Sequence, residues 1–401
     1  MWLSPMCTLD RRSGAAQQVH SVLSALARRG WEAHAVQMTL FDGREAYPVD
    51  QIIGKQYALP NYHGKLFRVP GKHVQHRIFY TKSTDARYLT APEARSFIAK
   101  ARQALEEIRP DVVITFGSTV VCKELHRMAR NISPSLVFFL ANASYDDSKI
   151  FEPFDHILVN SHFMRRHYKD KLGIESRVIP EIIQSDAVVG SEEVLSVSSP
   201  GARKCCGFVT MVNPSFLKGA PLFARLVLSA SRKWPEWTFL AVEGRMTDSE
   251  WAQTGLDLAR QPNLWWIPNQ REMRRVYART SVLVAPTFGI EAAGRVVVEA
   301  QLGGIPVLAS NHGGLPEMLN GGGFTFDIPQ KFKESWTTVP SEEAVQPWLE
   351  TLARLMEDDE VYSEACTRAV EASREQHPDR AEELILQRFQ DIVEQGRFVQ
   401  D

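Results

Sequence analysis

Glu291 and Glu299 stand eight positions apart within Pro286–Glu317, a stretch of the 401-residue chain that concentrates polar chemistry among glycines and apolar runs. Glu291 sits in a glycine-bearing turn after an apolar strand, and Glu299 lies in a helix expected to begin near Ala293. With a helix N-terminus between them, two hydroxyl acceptors flank a set of backbone N–H donors, the arrangement that a sugar tied to a phosphate requires. Glu299 follows Val296-Val297-Val298 and precedes Ala300 and Leu302. A carboxylate in so apolar a neighbourhood needs partners, and ribose hydroxyls would supply them. Further upstream, Lys218-Gly219 stands between an apolar strand and a helix, where a lysine can reach a phosphate. Arg11-Arg12-Ser13-Gly14-Ala15-Ala16 opens the first helix. There Gly14 permits close backbone approach, and the helix start offers N–H groups to an anion.

The elements that must hold these residues alternate between strand and helix. Apolar runs at Trp2–Met6, Ala33–Met38, Val112–Phe116, Leu136–Leu140, His156–Val159 and Arg177–Ile179 predict strands, with amphipathic helices at Ala16–Arg29 and Phe97–Ile108 between them. A second series has strands at Gly207–Met211, Trp237–Val242, Leu264–Ile267, Ser281–Ala285, Pro306–Ser310 and Phe324–Phe326. Strands separated by helices imply parallel sheets covered on both faces. The expected organisation is a first domain over 1–185, a serine-rich linker over 186–204 and a second domain over 205–365. C-terminal helices over 366–401 would pack back on the first domain. Ligands of such sheets bind beyond the carboxyl ends of the strands.

Composition narrows the function classes. A formal net charge of −2 gives no general attraction to nucleic acid, and no apolar run reaches the roughly 20 residues that span a bilayer. The opening Met1–Cys7 does not read as a secretory leader. Cys7, Cys122, Cys205, Cys206 and Cys366 have no partner at metal-ligand spacing and read as buried thiols of a cytoplasmic protein. No two aspartates are spaced by one residue, so no acidic cluster for Mn²⁺ or Mg²⁺ is evident and no metal is expected. Residues 51–100 carry nine Lys or Arg against two acids, with Tyr57, Tyr62, Phe67, Phe79, Tyr80 and Tyr88 interleaved. Two readings stand for that stretch: a solvated, irregular insertion, or a surface for an anionic acceptor or lipid headgroup that would touch a membrane weakly. His126 reads as a surface or packing histidine, and His312, beside Gly313-Gly314, as a residue that could line the cleft.

The ordered set Glu291, Glu299, Gly304-Ile305-Pro306-Val307 and Gly313-Gly314-Leu315-Pro316-Glu317 resembles the signature of glycosyltransferase family 4, retaining enzymes of GT-B fold. That signature is a Glu, seven residues, a Glu, then a Gly-x-Pro-Val strand and a Gly-Gly-x-Pro-Glu turn. The resemblance implies an α/β protein of GT-B type, with two doubly wound Rossmann-like domains facing across a cleft. The first would bind the acceptor and the second a nucleoside diphosphate sugar. It implies that Lys218 pairs with the donor diphosphate, Glu291 contacts the donor sugar and Glu299 holds the nucleotide ribose. The backbone of Ala292-Ala293-Gly294 would donate to sugar or diphosphate, and the loop at Gly14 and Ala15 would approach them. Many members carry an arginine shortly after the strand that precedes the lysine. Here Asn213-Pro214 occupies that region, and Arg295 is the candidate to complete the cationic clamp. Many relatives also place a histidine at the end of a first-domain strand, where this chain has Ala141-Asn142-Ala143-Ser144. Asn142 would hydrogen-bond the sugar or cap a turn, and the proton route from the acceptor is left open.

The expectation is therefore a cytoplasmic, metal-independent retaining glycosyltransferase without a resident cofactor. Its donor would be a UDP or GDP sugar, and its acceptor a glycan, small molecule, lipid or protein, not nucleic acid. Catalysis would rest on Lys218, Glu291 and Asn142. The alternatives are a nucleotide-sugar epimerase of the same architecture and a catalytically silent, glycosyltransferase-like binding protein.

Overall fold

Two sheets organise the chain, one in each of two units: unit 1, Met1–Ile182 with Asp379–Asp401, and unit 2, Ile183–Pro378. The structure, a computed structural model, describes residues 1–42, 49–183, 207–244, 261–270 and 272–397, together with Lys204, Met246, Trp251 and Leu258. The linker residues 186–203 and the Cys205-Cys206 pair lie outside the described residues, while Cys7 and Cys122 are free and buried, and Cys366 is buried.

Unit 1 runs β1 (Trp2–Leu3), α1 (Gly14–Arg28), β2 (His34–Met38), α2 (Val49–Ile53), β3 (Leu66–Val69), β4 (Gln75–Phe79), α3 (Ala91–Ile108), β5 (Val112–Thr115), α4 (Val120–Arg130), β6 (Ser135–Leu140), β7 (His156–Val159), α5 (His162–Leu172) and β8 (Arg177–Val178). The sheet order is β3-β4-β2-β1-β5-β6-β7-β8, and all pairings are parallel except β3 with β4. Every residue of β2, β5 and β6 is buried, as strands covered by helices on both faces demand. Helix starts are set by side-chain caps: Thr90 with Glu93 forms a reciprocal capping box, and Thr119 and Ser161 cap α4 and α5.

The basic stretch is more ordered than an irregular insertion. Its β3–β4 pair extends the sheet edge, and α3 begins at Ala91. Arg68 lies opposite Arg77 across the pair, a like-charge contact that would oppose pairing. Glu107 of α3 offsets it by binding both guanidinium groups, at 3.1 and 2.7 Å.

Unit 2 runs β9 (Phe208–Val212), α6 (Ala220–Lys233), β10 (Phe239–Val242), β11 (Leu264–Ile267), α7 (Met273–Tyr277), β12 (Thr280–Ala285), α8 (Arg295–Leu302), β13 (Val307–Ser310), α9 (Leu315–Leu319), β14 (Phe324–Phe326), α10 (Gln330–Glu334), α11 (Glu342–Glu357) and α12 (Asp359–Ser373). Its sheet is wholly parallel, in the order β11-β10-β9-β12-β13-β14. Residue 366, the expected start of the C-terminal helices, falls inside α12, which belongs to unit 2. The chain re-enters unit 1 through α13 (Pro378–Arg397). Ala381, Ile385, Phe389 and Ile392, one helical stripe, sit there in a core with Val19, Val22 and Leu23 of α1.

Candidate functional site

In unit 2 the strand order reverses between β9 and β12. The turns that leave the carboxyl ends of those two strands therefore diverge, and the crevice between them is where open α/β sheets take ligands. Lys218 lies in the turn after β9 and Glu291 in the turn after β12.

Glycines bring the two turns together. Gly219 has φ +78° and caps α6, and a Cβ added there would fall 1.8 Å from the carbonyl oxygen of Pro286. The amides of Phe288 and Gly289 both donate to the carbonyl of Leu217, each at 3.0 Å. On the other side, Gly313 (φ +66°) would place a Cβ 2.5 Å from the Glu291 carbonyl oxygen, and the Gly314 amide donates to that oxygen at 2.8 Å. The Glu291 turn is thus held between the turns after β9 and β13 by backbone contacts that side chains would block.

This packing makes Lys218 and Glu291 an ion pair, Nζ to Oε2, with side chains 27% and 16% exposed. Both groups remain accessible, and each is the other's counter-charge. Such a pair offers a cation to a phosphate and an acceptor to a hydroxyl within one small volume. Ala292 and Ala293 are buried, and Gly294 (φ +111°) caps α8. The helix begins at Arg295 rather than near Ala293, because Gly294 adopts a backbone conformation that disfavours residues bearing a Cβ.

Glu299 is buried, at 6% exposure, but its partners are within the protein. The Tyr277 hydroxyl donates to Oε2 at 2.6 Å, and Arg295 Nε approaches Oε1 at 3.0 Å. Burial first, and the Glu299 charge second, push the Tyr277 phenol well above its ordinary pKa. The inference that this carboxylate needs a ligand for satisfaction is corrected by that geometry. Arg295, the expected second phosphate cation, is 10% exposed and engaged with Glu299. Its i,i+4 spacing from Glu299 was readable in the sequence. Tyr277 was missed, and no local signal could have found it, because it arrives from α7 on the other side of β12.

His312 follows β13, half-buried, and burial with nearby Lys333 lowers its pKa. Gly14, Ala15 and Asn142 belong to unit 1. Gly14 opens α1 after Ser13, whose hydroxyl accepts from the Ala16 amide, and a Cβ on Gly14 would meet open space. Asn142 Oδ1 accepts from the Ser144 amide at 3.1 Å and the Ser144 hydroxyl at 2.5 Å, so its side chain caps the turn after β6. His126 packs edge-on against Phe154 and Phe138, and burial lowers its pKa to about 4. Among the described residues, no group of three or more His, Cys, Asp or Glu could hold a metal ion, and no helix is long and apolar enough to cross a membrane.

Residues 203–358, the span holding Lys218, Glu291 and Glu299, match the family model described as glycosyl transferases group 1. No curated protein matches the sequence. Solved structures match over nearly the whole chain. Sucrose-phosphate synthase (tll1590) from Thermosynechococcus elongatus is 14% identical, with TM-score 0.69 and 100% of each chain covered. Anabaena Alr3699/HepE in complex with UDP and glucose is 17% identical, with TM-score 0.65, covering 97% of this chain and 99% of that one. WaaG, a glycosyltransferase involved in lipopolysaccharide biosynthesis, is 14% identical, with TM-score 0.64 and 96% and 99% covered. At such identities the likeness concerns fold, and the fold is GT-B.

Proposed function

We propose that this protein is a glycosyltransferase of the retaining, family 4 type, moving a sugar from a nucleoside diphosphate sugar to an acceptor bound by unit 1. The observation that carries the reading is the Lys218–Glu291 pair at the switch point between β9 and β12. The group 1 match over this segment, and the UDP and glucose named with the HepE structure, support a nucleotide-sugar donor with UDP the favoured carrier.

In this reading Lys218 moves from Glu291 to the diphosphate and stabilises the charge that develops as the leaving group departs. Glu291, released from Lys218, accepts hydrogen bonds from the donor sugar. Backbone amides around Ala292–Gly294 add donors beside the diphosphate. Glu299 takes ribose hydroxyls, with Tyr277 and Arg295 holding the carboxylate in place. Gly14 and Ala15 supply backbone at the start of α1, and Asn142 orders the turn after β6. The acceptor oxygen bonds to the anomeric carbon on the face the leaving group vacates, and the acceptor proton passes to the departing phosphate. No metal or resident cofactor is invoked, since Lys218 and the amides carry the neutralisation. We place the enzyme in the cytoplasm, with the exposed lysines of residues 51–100 giving weak contact with an anionic surface.

Incubation with a panel of UDP, GDP, ADP and TDP sugars tests this. Slow release of free nucleotide and sugar, with the sugar first appearing in the donor's anomeric configuration, is the expected result. An isomerised donor would make the protein an epimerase, and binding without turnover would make it a silent receptor.

A further inference from the structure

A cavity of about 410 Å³ in unit 1 lies between α4 and the segment following β6, and none of the residues proposed to bind the donor lines it. Lys123, Arg127 and Arg130 of α4 line one side, Lys149 the other, and no acidic residue is among the lining. Positions 123, 127 and 130 share one helix face, so the cations are stacked where like charges oppose one another. Arg127 is held by Glu124 at 2.6 Å and Arg130 by Asp155. Lys123 and Lys149 make no ion pair among the described residues. Lys123 also sits near the positive end of the α4 dipole, a position that costs stability unless an anion is present.

A second observation comes from a different side chain. His126, on the same face of α4, lines the cavity, is 4% exposed, and its Nε2 has no hydrogen-bond partner. A buried ring nitrogen left unpaired is a group waiting for a partner. Ile150 and Pro153 give the cavity apolar wall.

We propose that this cavity is a binding site for an organic phosphate, its anionic head between Lys123 and Lys149 and its apolar body against Ile150 and Pro153. His126 Nε2–H, in the tautomer the ligand selects, donates to a phosphate oxygen. The apolar wall favours a phosphate ester over inorganic phosphate. The site is independent of the transferase reading. A soluble ester and a phospholipid headgroup present the same chemistry, and the test separates them.

Hexyl phosphate, inorganic phosphate and hexanol are titrated calorimetrically against the full chain and a Lys123→Ala/Lys149→Ala variant whose melting curve shows it folded. Hexyl phosphate should bind at least 10-fold more tightly than either other probe and lose at least 10-fold in the variant. The His126 ring proton resonance, assigned by its loss in His126→Phe, should shift on addition of hexyl phosphate and stay put on addition of hexanol. Co-sedimentation with phosphatidate vesicles, lost in the variant, would identify a lipid headgroup; hexyl phosphate binding without vesicle binding would identify a soluble ester. Equal affinity in parent and variant, hexanol as tight as hexyl phosphate, or vesicle binding with none to hexyl phosphate would overturn the proposal.

Discussion

In unit 2 the turns after β9, β12 and β13 meet backbone to backbone at glycines, whereas in unit 1 the turns after β1 and β6 carry side-chain caps, the first beside a backbone bond from the Cys7 amide to the Leu40 carbonyl. Gly219 lies against Pro286, and Gly313 and Gly314 against Glu291 and Ala292, at distances no Cβ could share. In unit 1, Asp10 accepts from the amides of Arg12 and Asp42, Ser13 caps α1, and Asn142 binds Ser144. Backbone contact fixes charged groups with little slack and demands glycine. Side-chain caps hold a turn equally well but accept several residue types. Under the proposed function, the contrast suits a rigid donor site in unit 2 and an adaptable acceptor site in unit 1.

The largest effect should come from filling the glycine contacts. Gly219→Ala adds a Cβ 1.8 Å from a carbonyl oxygen at φ +78°, and should cost at least about 3 kcal/mol in chemical denaturation and abolish turnover. Gly14→Ala should change stability by less than about 1 kcal/mol. If Gly219→Ala proves as mild as Gly14→Ala, the contrast between the units fails.

Next is the buried carboxylate. Glu299→Ala takes the carboxylate away from the Arg295 guanidinium and the Tyr277 hydroxyl in the core of unit 2, at a cost of about 3 kcal/mol. Tyr277→Phe should cost about 1–2 kcal/mol and leave UDP affinity within about 2-fold. A folded Glu299→Ala protein that still binds UDP normally would confine Glu299 to holding α7 against α8.

The ion pair makes a sharper division. Lys218→Ala should weaken UDP by about 2–3 kcal/mol, roughly 30- to 150-fold, by calorimetry. Glu291→Ala should leave UDP equal or slightly tighter, because Lys218 loses its internal partner, while turnover falls at least about 100-fold. Parallel loss of UDP in both variants would refute the assigned roles.

Acid should separate the units. Burial holds His76 and His126 of unit 1 down to about 4. The unfolded chain protonates these rings near pH 6.5 and the folded unit does not, so the stability they allow is full above about 6.5 and lost as pH falls toward 4. At pH 5 each accounts for up to about 2 kcal/mol. Hydrogen exchange at pH 7.5 and 5.0 should show unit 1 loosening first; equal loosening of unit 2 would count against this account. The smallest effect expected is none: turnover should persist in excess EDTA, and loss restored by Mn²⁺ would show that the neutralisation assigned to Lys218 belongs to a metal.

Much of the fold was legible because buried parallel strands announce themselves as apolar runs. The twelve expected runs overlap β1, β2 and β5 to β14. The β3–β4 pair was hidden by its composition, since Arg68 and Arg77 depend on Glu107, 39 and 30 residues later, to tolerate a strand edge. Glu299 was legible as an anomaly, a carboxylate in an apolar run with Arg295 four residues before it, but the sequence could not say that Tyr277 would be a partner. Asn142 offered two readings, and the structure uses its side chain in the turn.

The sequence by itself determined the alternation of strand and helix, the placement of Lys218 and Glu291 at strand ends, and the glycines that must stand at Gly219, Gly313 and Gly314. These follow from local periodicity and, at Gly219 and Gly313, from positive φ angles that only glycine takes easily; Gly314, at φ −82°, is required instead by its close approach to Ala292. Only the tertiary structure decided that Lys218 meets Glu291, 73 residues away, and that α13, rather than the helix holding residue 366, is the one that enters the core of unit 1. The reason is strand order. Placing β9 beside β12, out of sequence, is settled by how the helices pack on both faces of the sheet, and that information is spread over the core of unit 2 rather than written near either charge.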